Sequence, residues 1–143
     1  MWKRIAITSI SGLLLACSVA APKPKLKSDL ELMQGAWAFT RVGESRPDDV
    51  DALIVFEGNS VYSLEHGQRL DPTTFALDPS KSPNEIDLTK QDGIEKGTIM
   101  LGIYSIDGDS MKICTSENKN RPREFKTDRD QRFLLIELTR AKP

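Results

Sequence analysis

Few side chains in this sequence could act as nucleophiles, metal ligands or general bases. There are two cysteines, Cys17 and Cys114, and one histidine, His66. A Ser/His/Asp constellation would have to be built on His66, and no G-x-S-x-G, P-loop or G-x-G-x-x-G follows Cys17 to place one. Glu65 precedes His66 directly, and neighbouring strand residues point to opposite faces, so the two cannot hold a metal ion together. Asp48, Asp49 and Asp51, and again Asp107 and Asp109, lack the D-x-D-x-D-G spacing that wraps a hard cation in oxygen ligands. These acids read as solvated turn carboxylates and His66 as an exposed turn residue. A pair of strand-end acids converging from distant positions is the one catalytic arrangement left open. The expectation is a protein that is not an enzyme, with no catalytic residue, no metal and no cofactor.

Cys17 sits in the more informative context of the two cysteines. Lys3 and Arg4 open the chain, Ile5 to Ala16 form a short apolar run, and small residues end it, which is the grammar of an export signal. A spanning helix needs about 20 apolar residues. This run is shorter and leads straight into a Pro/Lys segment. Leu14-Leu15-Ala16-Cys17 resembles the bacterial lipobox, in which the Cys thiol receives a diacylglyceryl group and the signal is cut just before it. The resemblance implies a signal peptide at 1–16 and a mature chain starting at lipidated Cys17. Such a protein is exported and anchored to the cell envelope, at the periplasmic face or the outer membrane, and Ser18 resembles the residue type that directs lipoproteins to the outer membrane. One acyl chain binds membranes marginally, whereas several hold stably.

Residues 17–27 then read as the lipidated Cys and a tether. Pro22 and Pro24 alternate with Lys23, Lys25 and Lys27, a composition that favours extended, solvated chain of about 3.1 Å per residue. Removing residues 1–16, which carry Lys3 and Arg4 and no acid, leaves a net charge of about −3. That balance argues against a nucleic-acid partner. Residues 28–143 suffice for one domain with a single core, read as a monomer. Cys114, in "MKICTS", alternates as a half-buried strand residue without a disulfide partner.

The mature chain starts with one helical signal and continues with strands. Ser28 and Glu31 form a capping box, and Gly35 can close the short helix they open. Trp37 and Phe39 then alternate with Ala38 and Thr40. Seven further strand patterns follow: "ALIVFE", "SVYSLEH", "TTFALD", "NEIDLTK", "GTIMLGIYSI", "SMKICTS" and "RFLLIELTR". Gly58-Asn59 marks one hairpin, and Asp107-Gly108 a second, expected as a type I′ turn. Consecutive hairpins without a crossover helix point to an all-β protein, an antiparallel up-and-down barrel of about eight strands with a short N-terminal helix. The loop Glu117 to Arg132 mixes six basic residues with acids and reads as solvated, with Phe125 packing over one end of the barrel.

Gly35-Ala36-Trp37 is similar to the Gly-x-Trp signature of lipocalins, and "LMQGAW", "LIVFEGNSVY", "FALDPSKSPNEIDLT", "IEKGTIMLGIYSIDGDSMKIC" and "RPREFKT", in this order, resemble a lipocalin-like domain family abundant in planctomycetes. The resemblance covers roughly Leu30 to Thr139 and implies a barrel whose floor is Gly35, Trp37 and, from the last strand, Arg140. It implies no catalytic residue, ligand or partner. An eight-stranded barrel is just wide enough to be filled by side chains or to hold one small ligand. Phe39, Phe56, Leu64, Phe75, Leu101 and Ile103 are the candidate pocket or core residues. Two functions follow from the two outcomes: a module that binds a small hydrophobic molecule in the barrel mouth, or a structural or protein-interaction lipoprotein with a filled core.

The anchor stands apart from the barrel and has its own test. Replacing Cys17 with Ser should abolish acylation and move the protein out of the membrane fraction; continued tight membrane association of Cys17→Ser would refute the lipobox reading.

Overall fold

The computed structural model describes residues 17–47 and 51–143; the segment 1–16, with its signal reading, and Asp48 and Asp49 of the first acidic cluster lie outside the described residues. Among the described residues a helix, α1 (Asp29–Met33), precedes eight strands. These are β1 (Gly35–Val42), β2 (Leu53–Glu57), β3 (Ser60–Glu65), β4 (Gln68–Asp78), β5 (Asn84–Lys90), β6 (Ile99–Asp107), β7 (Ser110–Ser116) and β8 (Phe133–Arg140). The strands pair in chain order and β8 returns antiparallel to β1, closing a lipocalin-like up-and-down barrel. Closure gives each strand two neighbours, although the β1–β2 ladder covers only Gly35–Ala38 of β1.

Local chemistry explains the corners. The Ser28 hydroxyl accepts from the Glu31 N–H at 3.3 Å while the Ser28 N–H donates to the Glu31 carboxylate at 2.7 Å, completing the capping box. Those contacts hold the Glu31 carboxyl below its ordinary pKa, the backbone Ser28 N–H being the larger cause. Gly35, at φ +107°, turns the chain from α1 into β1 in a region that side chains avoid. The β6–β7 turn differs from the sequence expectation. Asp107 pairs with Ser110, so the two loop residues are Gly108 and Asp109, and only Gly108 is left-handed, at φ +58°. That arrangement suits a type II′ turn. The two consecutive left-handed residues that a type I′ turn requires occur instead at the β3–β4 turn, His66 at φ 48° and Gly67 at φ 78°.

β4 is longer than its sequence pattern. The apolar run starts near Thr73, yet the strand begins at Gln68, and a bulge at Asp71 and Pro72 separates the Val61↔Thr73 pair from Ser63↔Leu70. Proline has no N–H for the ladder, so the strand crosses it by bulging, with Asp71 at φ 52°.

Register fixes the two faces. Trp37↔Arg140, Phe39↔Leu138, Phe56↔Val61, Phe75↔Leu88 and Leu77↔Ile86 are opposed inside. With Met33, Tyr104 and Met111 the apolar members of these pairs belong to the main core cluster, where the Phe56 and Phe75 rings meet edge to face at 5.3 Å. A second cluster lies on the outer wall: Ile103, Cys114 and Leu135 are buried beneath Phe125 and Phe133.

This register corrects several sequence placements. Leu64 opposes Leu53, one step from the inward pair Ile54↔Ser63, and so faces out. Leu101 opposes Ser116, and Ile103 opposes Cys114, on the outer face of β6. Gly102 and Tyr104 take the inward positions there. The alternation was misleading because the inward position between two bulky residues is a glycine. Phe125 likewise covers the outer wall and not a barrel end, because the β7–β8 loop folds along the side of the barrel.

Gly102 is required by close approach. A Cβ there would meet the Cys114 carbonyl oxygen at 2.9 Å and the Ile86 side chain at 3.1 Å. Gly102→Ala should destabilise the barrel by about 1–3 kcal/mol through overpacking, read as a lower urea midpoint at an unchanged slope. An unshifted midpoint would mean that the strands have room to move apart.

Candidate ligand chamber and its closed floor

At one end of the barrel α1 lies across the opening. Trp37, fully buried at the start of β1, donates its indole N–H to the Met33 carbonyl at 2.8 Å. The Arg140 guanidinium stacks over the same ring, its carbon 4.2 Å from the centroid. It also donates to the carbonyls of Leu32 at 2.7 Å and Gln34 at 2.9 Å, and its Nε lies 3.3 Å from the Asp109 carboxylate. One cation thereby satisfies carbonyls at the C-terminal end of α1, where the helix has no partners of its own.

Two further ties hold the plug. The Gln34 side chain accepts from the Gly58 N–H at 2.6 Å and donates to the Gly58 carbonyl at 2.9 Å, fastening α1 to the β2–β3 turn. The Tyr104 hydroxyl donates to Asp29 at 2.7 Å, fastening it to β6. Burial first, and then the bond to Asp29, push the Tyr104 phenol far above its ordinary pKa.

Among the described residues the opposite end is open. A cavity of about 890 Å³ enters the barrel there, with Ile54, Phe56, Val61, Leu88, Met100 and Ile113 along its walls. Ser63, Thr73, Lys90 and Thr115 line it as well, each on a strand. Register places these four inward: Ser63 opposes Ile54, Thr73 opposes Val61 and Lys90, and Thr115 opposes Gly102. The chamber thus has apolar walls and a sparse polar set. The Lys90 ammonium pairs with the Glu95 carboxylate of the β5–β6 loop, while Arg129 pairs with Glu44 at 2.9 Å and Arg132 with Glu117 at 3.8 Å around the mouth.

The sequence-predicted residues divide between these regions. Gly35, Trp37 and Arg140 come together at the floor, and a Cβ on Gly35 would lie 3.4 Å from the Arg140 guanidinium. Phe39, Phe56 and Phe75 join the main core, and Phe56 also lines the chamber. Leu64 and Leu101 contribute to neither, and Ile103 is a core residue of the second cluster on the outer wall. His66 is exposed in the β3–β4 turn, and among the described residues no group of three or more His, Cys, Asp or Glu could hold a metal ion. The polar lining of the chamber lies outside the large apolar candidates because its side chains are small or charged, although the alternation Ile86, Leu88, Lys90 leads to one of them.

The β7–β8 loop is anchored more firmly than its mixed charge suggested. Arg121 donates to the carbonyls of Ile86 at 3.1 Å and Gly102 at 2.7 Å and pairs with Asp87 at 2.6 Å and Glu85 at 3.0 Å. The buried Cys114 thiol donates to the Lys126 carbonyl at 3.4 Å, and burial raises its pKa, which suits a structural thiol.

No family model, curated protein or solved structure matches this chain. Among the described residues no helix is long and apolar enough to cross a membrane.

The floor makes a measurable demand on Arg140. Arg140→Met keeps the aliphatic stem but loses the stacking on Trp37, worth ~0.5–2 kcal/mol, and two charge-assisted bonds to carbonyls. A destabilisation of about 2–3 kcal/mol is expected in chemical denaturation, together with a weaker near-ultraviolet circular dichroism band as Trp37 loses its fixed surroundings. A loss below about 0.5 kcal/mol would place the guanidinium among ordinary surface groups.

Proposed function

We propose that this protein is an exported, lipid-anchored envelope lipoprotein of the lipocalin-like family, whose barrel binds a small, largely apolar molecule. The observation that carries the binding half of this reading is the chamber itself. Its volume of about 890 Å³ falls within the roughly 300–1,000 Å³ of ligand sites. Apolar walls supply the affinity by burial, and a few polar groups near the entrance supply orientation. The structural or protein-interaction reading would be favoured by a filled core, and the main core cluster does reach Val61, Leu88 and Ile113 on the chamber wall. The anchoring half rests on the lipobox resemblance at Leu14 to Cys17, and the family assignment on the sequence blocks between Leu30 and Thr139.

A neutral apolar fluorophore, N-phenyl-1-naphthylamine, tests the binding half on the full-length protein. One probe per chain should bind in a single saturable phase. Ser63→Trp, which fills the chamber from β3, should weaken binding at least tenfold, while a tryptophan at the outward Lys112 of β7 should leave it unchanged. No saturable binding, or equal loss in both variants, would sink the ligand reading in favour of the protein-interaction one.

A further inference from the structure

Lys90 is the feature of the chamber that hydrophobic binding does not explain. It is the one basic residue carried by a strand among the described residues that line the cavity. Its neighbours on the same face are Leu88 of β5 and, across the ladder, Thr73 of β4. A lysine stem can run along apolar wall while its ammonium reaches the entrance. Here the ammonium meets a carboxylate of the same chain, Glu95, and the lysine side chain is about a third exposed (31%).

Glu95 is a replaceable partner. Its side chain is 58% exposed, and it sits in the β5–β6 loop between Gly93 at φ 72° and Gly97 at φ 86°. Residues 91–99 are all exposed. An ion pair with so exposed a member gains little over two hydrated charges. The carboxylate can therefore return to water, whereas the strand-borne ammonium stays at the entrance.

Resting on the ligand-chamber reading, we infer that the ligand is an anionic amphiphile, a carboxylate on an apolar tail. Its head group takes the place of Glu95 on Lys90, and its tail lies against Leu88, Met100 and Ile113. The exchange gives Lys90 one carboxylate for another, and Glu95, on its exposed loop, returns to water. A neutral head would leave Glu95 in place and gain nothing from Lys90. Thr73 and Thr115, on strands β4 and β7, line the same space, the Thr73 hydroxyl donating to the Asp71 carbonyl at 3.0 Å. Of the acids that line the mouth, Glu44 and Glu117 pair with Arg129 and Arg132, and Asp71, Asp92 and Asp128 oppose an approaching anion. Asp71 and Asp92 are exposed, where screening over about 8 Å at physiological salt weakens them, while Lys90 acts in contact.

Dodecanoate and 1-dodecanol, compared by displacement of N-phenyl-1-naphthylamine from the full-length protein at pH 8, separate the head from the tail. The carboxylate should bind at least tenfold tighter than the alcohol. Lys90→Gln should bring the two within about twofold by weakening dodecanoate alone, and Glu95→Gln should tighten dodecanoate several-fold without moving dodecanol. Equal binding of both to the unmodified protein would overturn the anionic head while leaving the chamber intact. A carboxylate preference that survives in Lys90→Gln would move the head-group site away from Lys90, and an unchanged dodecanoate affinity in Glu95→Gln would overturn the exchange. If the fluorophore binds and neither amphiphile displaces it, the ligand class falls; if nothing binds at all, the chamber reading falls with it.

Discussion

The contact on which the rest of this barrel depends is the stack of Arg140 on Trp37 beneath α1. An eight-stranded barrel has two open ends, and each exposes the apolar interior to water. Here one end is shut by residues far apart in sequence. Trp37 comes from the start of β1, Arg140 from the end of β8 across the closing seam, and the carbonyls that Arg140 satisfies come from Leu32 and Gln34. The guanidinium therefore ties the first and last strands together and caps the helix in one step. Arg is suited to this because its planar fork can stack on a ring and donate in its plane at once. Asp109 adds a carboxylate at 3.3 Å, so the β6–β7 turn joins the same assembly.

Because the floor is shut, the interior is graded along its axis. Near α1 large side chains fill the space: Met33, Trp37, Phe56, Phe75, Tyr104 and Met111. Toward the other end the inward positions pass to Ser63, Thr73 and Thr115, which are too small to meet across the barrel. The bulge at Asp71 and Pro72 lies on the same side, and it bends β4 and increases its twist. A cavity at the mouth follows from side-chain size and backbone geometry together. The outer wall differs in kind. There the β7–β8 loop, held by Arg121, covers a second apolar cluster with Phe125 and Phe133, so outward-facing strand residues are buried without entering the barrel.

This second cluster explains what could be read from the sequence and what could not. Turn residues and alternation were enough for eight strands, because each hairpin has its own glycine or proline signal and the strands follow one another without a crossover. The capping box at Ser28 and Glu31 was equally legible, being local. Faces were not. On β6 both Leu101 and Ile103 are apolar although they point outward, the loop from Glu117 to Arg132 covering Ile103, and Gly102 hides the true inward series. Alternation reports which residues are buried, and a wall covered on both sides gives two apolar faces. The chamber was hidden for the converse reason. Its defining residues are small or polar, and a reading that searches for large apolar side chains finds the filled half of a barrel and overlooks the empty one. Lys90 would have been found only by extending the alternation of β5 past its last apolar residue.

The placement of the chamber also bears on access. The chain enters the barrel through α1, so the tether from Cys17 to Lys27 joins at the closed floor, and the mouth is the opposite end. A lipid anchor at Cys17, as proposed, would connect the domain to the bilayer through its shut end. The ten residues Ser18 to Lys27, extended at about 3.1 Å each, would reach roughly 30 Å, so the mouth of an anchored domain would not need to be pressed against headgroups. A ligand exchanged from the aqueous side then meets the charged rim first and the apolar wall second. That order suits an amphiphile that enters tail first and leaves its head at the entrance, beside the one strand-borne cation of the lining. The floor assembly fixes this direction of entry. With Trp37, Arg140 and α1 across the far end, the proposed ligand would enter by the mouth that the described residues leave open, and the polar groups that select it would stand there.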